Sequence, residues 1–395
     1  MINFKTELKT ELCENILPFW INNVVDKENG GFYGYISRDM EIKKEYVKSG
    51  VINARILWTF SRCFRKYREN IYLCMANKAY EYIEKYFLDR KNGGIYWLVN
   101  FKGEVVESKK QVYAQAFTIY ALAEYYDITS SKKVLDKAFE IFDILEKRCK
   151  DLKNGGYYDA FSEGWGELDD TSLSESDMNC SKTMNTNLHI MEAYSNLYRV
   201  SKSLKVKNAL EEIVNVCIKN ILDKEKMNFS LYFDEKWKRL SNKNSFGHDI
   251  EGSWLLCEAV DFLDNVELKK KVYEIAVKMC ENVYKYGLNP NGGIYEEACD
   301  SKIVSENTQW WVFAEAVIGF FNAYQISHNN VYLEKSKEIW EFIKNNIVDK
   351  KNGDWYWGIS DNGKILGDEK VSSWKCPYHN SRMCIEIIER IERGI

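Results

Sequence analysis

Apolar residues recur at helical spacing along the chain in twelve segments, which alternate between two kinds. Segments of the first kind carry many Lys and Glu, as in KVLDKAFEIFDILEKRC, and we expect them to face solvent on one side. They are predicted near 13–25, 76–87, 133–149, 207–222, 268–287 and 332–347. Segments of the second kind are richer in Ala, Gly and aromatics, as in WWVFAEAVIGFFNAY, and we expect them to be more buried. They are predicted near 53–67, 115–129, 184–201, 250–263, 310–327 and 377–394.

A short motif recurs between these segments at nearly constant spacing. Asn-Gly-Gly, or its variant Asn-Gly-Asp in the last case, begins at Asn29, Asn92, Asn154, Asn291 and Asn352. The intervals are 63, 62, 137 and 61 residues, and the long interval holds about two periods. A degenerate copy in DKEKMNFSLYFD, around Asn228, fills the gap. A fixed period of this length indicates a repeat architecture of six units.

Asn-Gly favours a tight hairpin turn, because both residues tolerate positive φ. The aromatics that follow alternate like short strands, as in GGFYGY and GGIYW. We therefore predict a short β-hairpin in the loop after each segment of the first kind, although the glycines also fit simple connectors. The copy around Asn228 lacks the glycine pair, which weakens the prediction there.

Six pairs of alternating outer and inner helices predict an all-α fold, a closed (α/α)6 barrel with short β-hairpins in its connecting loops. An open solenoid is the alternative, but open arrays need polar caps at both ends, and the last helix is not obviously a cap. The repeat never breaks and no linker interrupts it. We therefore predict a single domain over 1–395.

Composition excludes several classes of function. The net charge of −4 and the lack of a basic block argue against nucleic-acid binding, and no apolar run reaches the roughly 18 residues that span a membrane. The N-terminus carries charges where a signal peptide needs an apolar stretch. The eleven cysteines are scattered without a CxxC pair, which indicates reduced thiols in a cytoplasmic protein.

Candidate catalytic residues lie near the starts of the predicted inner helices. Three of the four histidines fall there, at His189, His248 and His379, whereas His328 lies in a polar SHNN turn and is expected at the surface. In a closed barrel these starts converge at one end. The unpaired N–H groups of helix N-termini favour negative charge that develops in a reaction.

Other polar and aromatic residues near the same starts complete the candidate site. Glu315 lies in an apolar stripe, where a carboxylate is costly unless it is paired, so we expect a His or Arg partner. Glu251 follows His248 by three residues and is expected to orient its imidazole. The tryptophans serve either as core or as stacking platforms for sugar rings. The remaining candidates are Arg55, Tyr113, Asn185, Trp310, Trp311 and Trp374.

Metal and cofactor chemistry has little support in the sequence. Cys376 and His379 have the C-x-x-H spacing of half a zinc site, but no second pair with ligand spacing lies nearby. A G-x-S-x-G nucleophile elbow, a phosphate-binding loop and a G-x-G-x-x-G fingerprint are also missing. We therefore predict no metal and no cofactor.

The stretches GHDIEGSWLL, WWVFAEAVIGFFNAY and WKCPYHNSRM together resemble the N-acylglucosamine 2-epimerase superfamily, and within it the cellobiose 2-epimerases. The resemblance runs nearly end to end, from ILPFWINNVVDKENGGFYGY to CPYHNSRMC. It implies an (α/α)6 barrel and a cofactor-free reaction. That reaction epimerises C2 of the reducing-end glucose in β-1,4-linked disaccharides, turning cellobiose into glucosyl-mannose and lactose into epilactose.

Motif by motif, the resemblance implies that His248 and His379 form the acid/base pair and that His189 assists ring opening or positioning. It makes Trp310 and Trp374 aromatic walls. The remaining polar candidates, Arg55, Tyr113, Asn185, Glu251 and Glu315, surround the reacting sugar. The chemistry fits: after ring opening a base removes the C2 proton, Arg55 stabilises the enediolate, and an acid returns a proton on the other face. Two groups that titrate near neutral pH suit this task.

Several alternatives stay open at this point. An N-acylglucosamine 2-epimerase or a monosaccharide aldose–ketose isomerase uses the same enediolate, so the histidines cannot discriminate. A subsite for a second sugar can, and we expect it in the loops after Asn154 and around Trp374. An inverting glycoside hydrolase would use Glu251 and Glu315 as its carboxylates, and a non-catalytic sugar-binding protein would need only the tryptophans. The expected partner is a small disaccharide, and the expected state is a monomer or weak homodimer.

Overall fold

The computed structural model describes residues 1–394, which are mostly helical, with alternating outer and inner helices. The outer helices, most of which include a π-helical turn, are α1 (2–23), α3 (70–87), α5 (132–149), α7 (204–221), α9 (266–287) and α11 (Asn330–Asn346). The inner helices are α2 (Gly50–Tyr67), α4 (Val112–Thr129), α6 (Met184–Ser201), α8 (Phe246–Asp261), α10 (Trp310–Ser327) and α12 (Tyr378–Glu392).

The two kinds of helix differ in burial as the sequence predicts. Outer helix α5 buries one stripe, which includes Val134, Ala138 and Ile141, and exposes its Lys and Glu side chains. Inner helix α4 is apolar on all sides and is buried continuously over 112–125. The one large difference in span is α1, which starts at Ile2 instead of near residue 13, because Phe4 and Leu8 continue its buried stripe. The charges between these two residues hide that stripe in the sequence.

The inner helices form a closed ring. Each contacts the next along the chain, and α12 returns to contact α2, while the first outer helix, α1, packs on α12. At this seam Arg62 of α2 donates to Glu386 and Glu389 of α12, at 3.3 and 2.8 Å. The predicted (α/α)6 barrel is therefore confirmed, and closure removes the need for polar caps.

Short strands occupy the loops at the end of the barrel where the inner helices begin. They are β1 (Ile36–Ser37), β2 (Lys48–Ser49), β3 (Leu98–Val99), β4 (Val105–Glu107), β5 (Lys110–Gln111), β6 (Ala160–Phe161), β7 (Lys182–Thr183), β8 (Leu222–Asp223) and β9 (Asn228–Phe229). They continue with β10 (Tyr232–Phe233), β11 (Lys243–Ser245), β12 (Glu297–Cys299), β13 (Lys302–Ser305), β14 (Thr308–Gln309), β15 (Gly358–Ile359), β16 (Ile365–Leu366) and β17 (Glu369–Val371).

The strand pairing contains the predicted hairpins and adds a second pattern. Hairpins form between β3 and β4 and between β12 and β13, and β8 pairs with β9 even at the copy without a glycine pair. In addition, the strand before an inner helix pairs with a strand of the next unit, as β2 pairs with β3. The last such pair, β1 with β17, closes the ring of strands. This pairing between units was not predicted from the sequence.

The Asn-Gly-Gly turns are wider than the tight hairpin turn that was predicted. In the second unit a single bridge between Leu88 and Ile95 encloses a six-residue loop. Gly93 and Gly94 take the positive φ values, +79° and +71°, whereas Asn92 does not. Instead, the Asn92 side chain donates to Asp89 Oδ2 at 3.0 Å. The expectation of positive φ at the asparagine was therefore wrong.

A buried ion pair ties this turn to the strand before the following inner helix. Lys110 of β5 donates to Asp89 Oδ2 at 2.7 Å, and neither side chain is exposed to solvent. The same arrangement recurs in three other units, as Lys48–Asp26, Lys182–Asp151 and Lys370–Asp349. Because the strand leads directly into the inner helix, the pair fixes where that helix begins.

Candidate active site

A cavity of about 240 Å3 opens at the end of the barrel where the inner helices begin. The lining residues show where this cavity lies. Five of them lie within the first three residues of an inner helix, namely Tyr113, Asn185, His248, Trp310 and His379. The predicted convergence of these helix starts is therefore confirmed. A larger cavity of about 700 Å3 has a different lining, with many Arg and Glu side chains and none of the predicted site residues.

Ten of the eleven predicted site residues line the 240 Å3 cavity, and the eleventh, Glu315, lies fully buried behind it. The ten are Arg55, Tyr113, Asn185, His189, His248, Glu251, Trp310, Trp311, Trp374 and His379. The lining also includes residues that the sequence analysis did not name, which are Leu173, Ser174, Ser176, Asp177, Gln309 and Trp357. Four of these belong to the loop between β6 and β7, which lies after Asn154.

His379 is held by the buried carboxylate of Glu315. Its Nδ1 lies 2.7 Å from Glu315 Oε1. The same carboxylate accepts from Arg382 Nη2 at 2.7 Å and from Trp254 Nε1 at 2.9 Å. These two partners can only donate, so each carboxylate oxygen already accepts a hydrogen bond, which favours a proton on Nδ1 of His379 and leaves Nε2 as the accepting nitrogen. The prediction of a His or Arg partner for Glu315 is confirmed, since both are present.

His189 has an equivalent partner that the sequence analysis missed. Its Nδ1 lies 2.7 Å from Oε2 of Glu192, one turn further along α6. Burial alone would raise the pKa of Glu192, but Arg382 and the bond with His189 lower it to about 2. The carboxylate is thus ionised and holds the His189 ring. The i, i+3 spacing in HIMEA is the signal that could have revealed the pair.

His248 is held by a hydroxyl group instead of a carboxylate. Its Nδ1 lies 2.9 Å from Oγ of Ser245, the N-cap residue of α8. The ring also contacts Trp311, with 4.8 Å between ring centroids. The expectation that Glu251 orients this ring was wrong, because Glu251 accepts from Arg382 Nη2 at 2.6 Å. The cap serine, three residues before His248, occupies the position beside Nδ1.

Burial changes the proton affinities of the site. It lowers the pKa of His248 to about 3, and it lowers the pKa of His379 well below the ordinary value, with Arg55 and Arg382 adding to the effect. The expectation that this pair titrates near neutral pH is therefore not met, because burial lowers both pKa values. Burial, together with repulsion from Glu315, raises the pKa of Glu251 to about 7.

Several polar groups at the cavity have no protein partner. Arg55 donates through Nη2 to the Tyr113 hydroxyl at 2.7 Å, but its buried Nε is unpaired. Asn185 Oδ1 and Trp310 Nε1 are likewise buried without a hydrogen bond. Unpaired buried groups are costly in a folded protein. Their arrangement here suits a ligand that offers many hydroxyl groups.

The geometry argues against two of the alternatives. One nitrogen or oxygen atom from each of Glu251, Glu315 and His379 could serve as a metal ligand, and these atoms lie within 4.8 Å of one another. However, Arg382 Nη2 bonds to both carboxylates, at 2.6 and 2.7 Å, and supplies the positive charge there. Cys376 is not part of this group, so the C-x-x-H hypothesis gains no support. The two carboxylates also lie closer than the 6.5–9.5 Å of an inverting hydrolase.

Within residues 1–394, none of the helices combines the length and the apolar character needed to cross a membrane.

Comparison with known proteins identifies the family. The sequence model of the N-acylglucosamine 2-epimerase (GlcNAc 2-epimerase) family matches residues 31–382. The chain is 40% identical over 386 residues to a cellobiose 2-epimerase from Bacteroides fragilis, covering 97% of this chain and 98% of that relative. It is 39% identical over 388 residues to one from Dictyoglomus turgidum, covering 98% of each.

Structural comparison gives the same result. The solved cellobiose 2-epimerase from Bacillus thermoamylovorans B4167 superposes with a TM-score of 0.94 at 35% identity, covering 99% of this chain and 100% of that one. The chain belongs to the N-acylglucosamine 2-epimerase family.

Proposed function

We propose that this protein is a cellobiose 2-epimerase, which reversibly inverts C2 of the reducing-end glucose in β-1,4-linked disaccharides. The observation that carries the proposal is the 40% identity, over nearly the full length of both chains, to a relative that bears this name. The arrangement of the candidate site supports it, because three histidines, a buried arginine and several tryptophans face one cavity. Cellobiose would become glucosyl-mannose, and lactose would become epilactose.

In the proposed mechanism the sugar ring opens to an aldehyde, and one histidine removes the C2 proton. His248 and His379 are the proposed pair, and their lowered pKa values leave both rings neutral near pH 7. The proton acceptor is therefore ready without prior deprotonation. The donor ring has to take up a proton from water before C2 is reprotonated, and the acceptor ring afterwards releases to water the proton that it removed. The negative charge of the enediolate favours the uptake.

Stabilisation of the enediolate is assigned to Arg55. Its guanidinium is buried, lines the cavity and has an unpaired Nε. A fixed cation in a desolvated site stabilises negative charge that develops in the transition state without reorganising at that moment. Asn185 Oδ1 and Trp310 Nε1 would bind sugar hydroxyls with the hydrogen bonds that they lack in the protein.

The disaccharide needs space for a second sugar beyond the reacting ring. The cavity adjoins a second one of about 170 Å3, and both are lined by Asn185, His248, Trp311 and Asp177. Asp177 belongs to the loop after Asn154, where the sequence analysis expected the additional subsite, and Trp374 faces the first cavity. We assign the non-reducing sugar to this second cavity.

An N-acylglucosamine 2-epimerase is the second candidate function, because the matching family model carries that description. It would use the same enediolate and the same histidines. The two candidates differ in what the site accepts, namely a second sugar ring or an acylamino group on C2.

The test is an incubation of the purified protein, treated with a chelator, with cellobiose in D2O, followed by NMR of the reducing-end C2. The proposal predicts a new mannose-type reducing end that carries deuterium at C2. Release of free glucose would indicate hydrolysis and contradict the proposal. Turnover of N-acetylglucosamine without any reaction of cellobiose or lactose would replace it with the second candidate.

A further inference from the structure

Arg382 occupies the centre of the acidic residues behind the cavity. It lies on α12 and is fully buried. Its Nη1 donates to Glu192 of α6, and its Nη2 donates to Glu251 of α8 and to Glu315 of α10, the last two at 2.6 and 2.7 Å. One side chain thus joins carboxylates from three other inner helices.

Two of these carboxylates hold the site histidines. Glu192 bonds to Nδ1 of His189 and Glu315 bonds to Nδ1 of His379, both at 2.7 Å. Glu192 bonds to the guanidinium through Oε1 and to the imidazole through Oε2, whereas Oε1 of Glu315 bonds to both. The two rings, on different helices, are therefore linked through a single cation.

We propose that Arg382 is a positioning residue that fixes the tautomer and orientation of His189 and His379 together, through Glu192 and Glu315. The proposed consequence for catalysis rests on the proposed epimerase function. Arg382 does not line the cavity. It therefore acts on the reaction through the two histidines and not by contact with the sugar.

Arg382 controls the protonation of this group because it is one cation that bonds to three buried carboxylates. Arg382 lowers the pKa of Glu192, Glu251 and Glu315, whereas burial and mutual repulsion raise those of Glu251 and Glu315. Without the guanidinium the group becomes strongly protonated, because buried like charges disfavour ionisation. A protonated carboxyl group donates to the neighbouring ring instead of accepting from it. Nδ1 of the ring would then be the acceptor, and Nε2 would carry the proton.

Lysine cannot replace arginine here. A guanidinium has five N–H donors in a planar fork, whereas an ammonium group is a single compact charge. Lys at this position could neutralise one carboxylate but could not reach both Glu192 and Glu315. The variant Arg382→Lys therefore tests whether a positive charge is sufficient or whether the planar set of N–H donors is also needed.

The direct test is the protonation state of the ring nitrogens, measured by NMR on protein with 15N-labelled histidine. The chain has four histidines, so their signals can be assigned with single substitutions. In the unaltered protein we expect His189 and His379 to carry the proton on Nδ1. In Arg382→Met both rings should lose that state together, while the solvent-exposed His328 should not change.

Arg390→Met is the matched control. Arg390 lies two turns further along α12 and donates to Asn322 and Gln325, away from the histidines. This variant should leave all four rings unchanged. If both rings keep Nδ1 protonated in Arg382→Met, the proposal is overturned. If that variant does not fold, Arg382→Lys takes its place, and retention of the Nδ1 proton on both rings there has the same meaning.

The kinetic test adds the catalytic consequence. Both variants at Arg382 should lose at least about 100-fold in kcat on cellobiose, since general acid–base catalysis by one residue is typically worth about 10²–10⁴-fold. KM should change little, because Arg382 does not line the cavity. The NMR result does not depend on the substrate. A protein inactive on cellobiose whose rings still respond to Arg382→Met would contradict the proposed function and keep the positioning role.

Discussion

The three site histidines differ in what holds their Nδ1 atoms. His189 and His379 each bond to a buried carboxylate, whereas His248 bonds to the hydroxyl of Ser245. A carboxylate partner fixes the tautomer of the ring, whereas a hydroxyl group can donate or accept and does not fix it. We therefore expect His248 to change its tautomer more easily during the reaction.

Loss of either proposed acid/base histidine should remove most of the activity. In His248→Ala and His379→Ala we expect kcat to fall by at least about 10²–10⁴-fold, the usual contribution of a general acid or base. His328→Asn is the control, because His328 is exposed at the end of α10 with φ of +55°, a conformation that Asn tolerates. Steady-state kinetics and circular dichroism are the measurements. Near-normal turnover in a folded His248 or His379 variant would refute the assignment.

Asp249 predicts a pH dependence of stability. It is fully buried, accepts from the Phe229 N–H at 2.7 Å, and has its pKa raised by burial from 3.8 to about 8. Because the pKa is higher in the folded protein than in the unfolded chain, stability from this group is complete below about pH 4 and is lost as the pH rises to 8. Asn187 accepts the equivalent N–H in the preceding unit, so an amide fits this position.

We therefore expect Asp249→Asn to stabilise the protein at pH 8 by about 1–3 kcal/mol, the usual cost of a poorly compensated buried polar group. The gain should shrink toward pH 4. Urea unfolding at several pH values is the measurement, and Asp136→Asn on the exposed side of α5 is the control, for which no such trend is expected. A gain that does not vary with pH would contradict the linkage.

At the scale of single residues, the sequence identified most of the site because its residues start inner helices and belong to recognisable motifs. Glu192 was missed although it follows His189 by three residues, and the role of Arg382 was not found because its contacts join different units. The partner of His248 was assigned wrongly to Glu251 for a related reason. Sequence spacing alone did not distinguish a cap serine from a carboxylate on the same helix.

At the scale of elements, the twelve helices were predictable because each outer and inner pair repeats the same apolar period. The pairing of strands between units was not, because strands of two or three residues carry little pattern of their own. The buried lysines of those strands also carry no recognisable signal in the sequence. A lysine in a polar loop usually points to solvent, yet Lys110 is fully buried against Asp89.

The buried Lys110–Asp89 pair should be important for stability. In Lys110→Met the carboxylate of Asp89 stays buried without its cation, and breaking such a pair costs about 3–5 kcal/mol. The double variant Lys110→Met/Asp89→Asn should lose less, because no uncompensated charge remains. Urea unfolding measures both losses.

The matched control for this pair is Lys137→Met on α5. Lys137 pairs with Glu140 at the surface, where the two side chains are 26% and 49% exposed. Exposed pairs contribute about 0–1 kcal/mol, so this loss should be small. If the double variant at Lys110 and Asp89 were as unstable as the single one, the destabilisation would come from packing and not from the charge.

At the scale of the molecule, closure of the ring places the site. Six inner helices that start at one end bring their first residues to a common cavity, and α12 supplies both His379 and Arg382 from the last unit of the repeat. An open array of the same units would spread these residues along a surface. The single domain over 1–395 and the monomer or weak homodimer stay predictions from the sequence.

Closure also predicts how the protein unfolds. In an open array each unit contacts only its neighbours, so terminal units can unfold separately. Here the first and last units are joined by Arg62 with Glu386 and Glu389, and by the bond from Trp20 Nε1 to Asp354 at 3.2 Å. We therefore expect one cooperative transition in urea, with the same midpoint by tryptophan fluorescence and by far-UV circular dichroism.

A variant at the seam sharpens this prediction. Arg62→Ala leaves two carboxylates at the seam without their shared cation, so the midpoint should fall while the transition stays single. Loss of about one unit's share of the helical signal before the main transition would show that the ends unfold separately. The contacts that close the ring would then contribute little to the cooperativity of unfolding, and the single domain would have to be replaced by a chain of weakly coupled units.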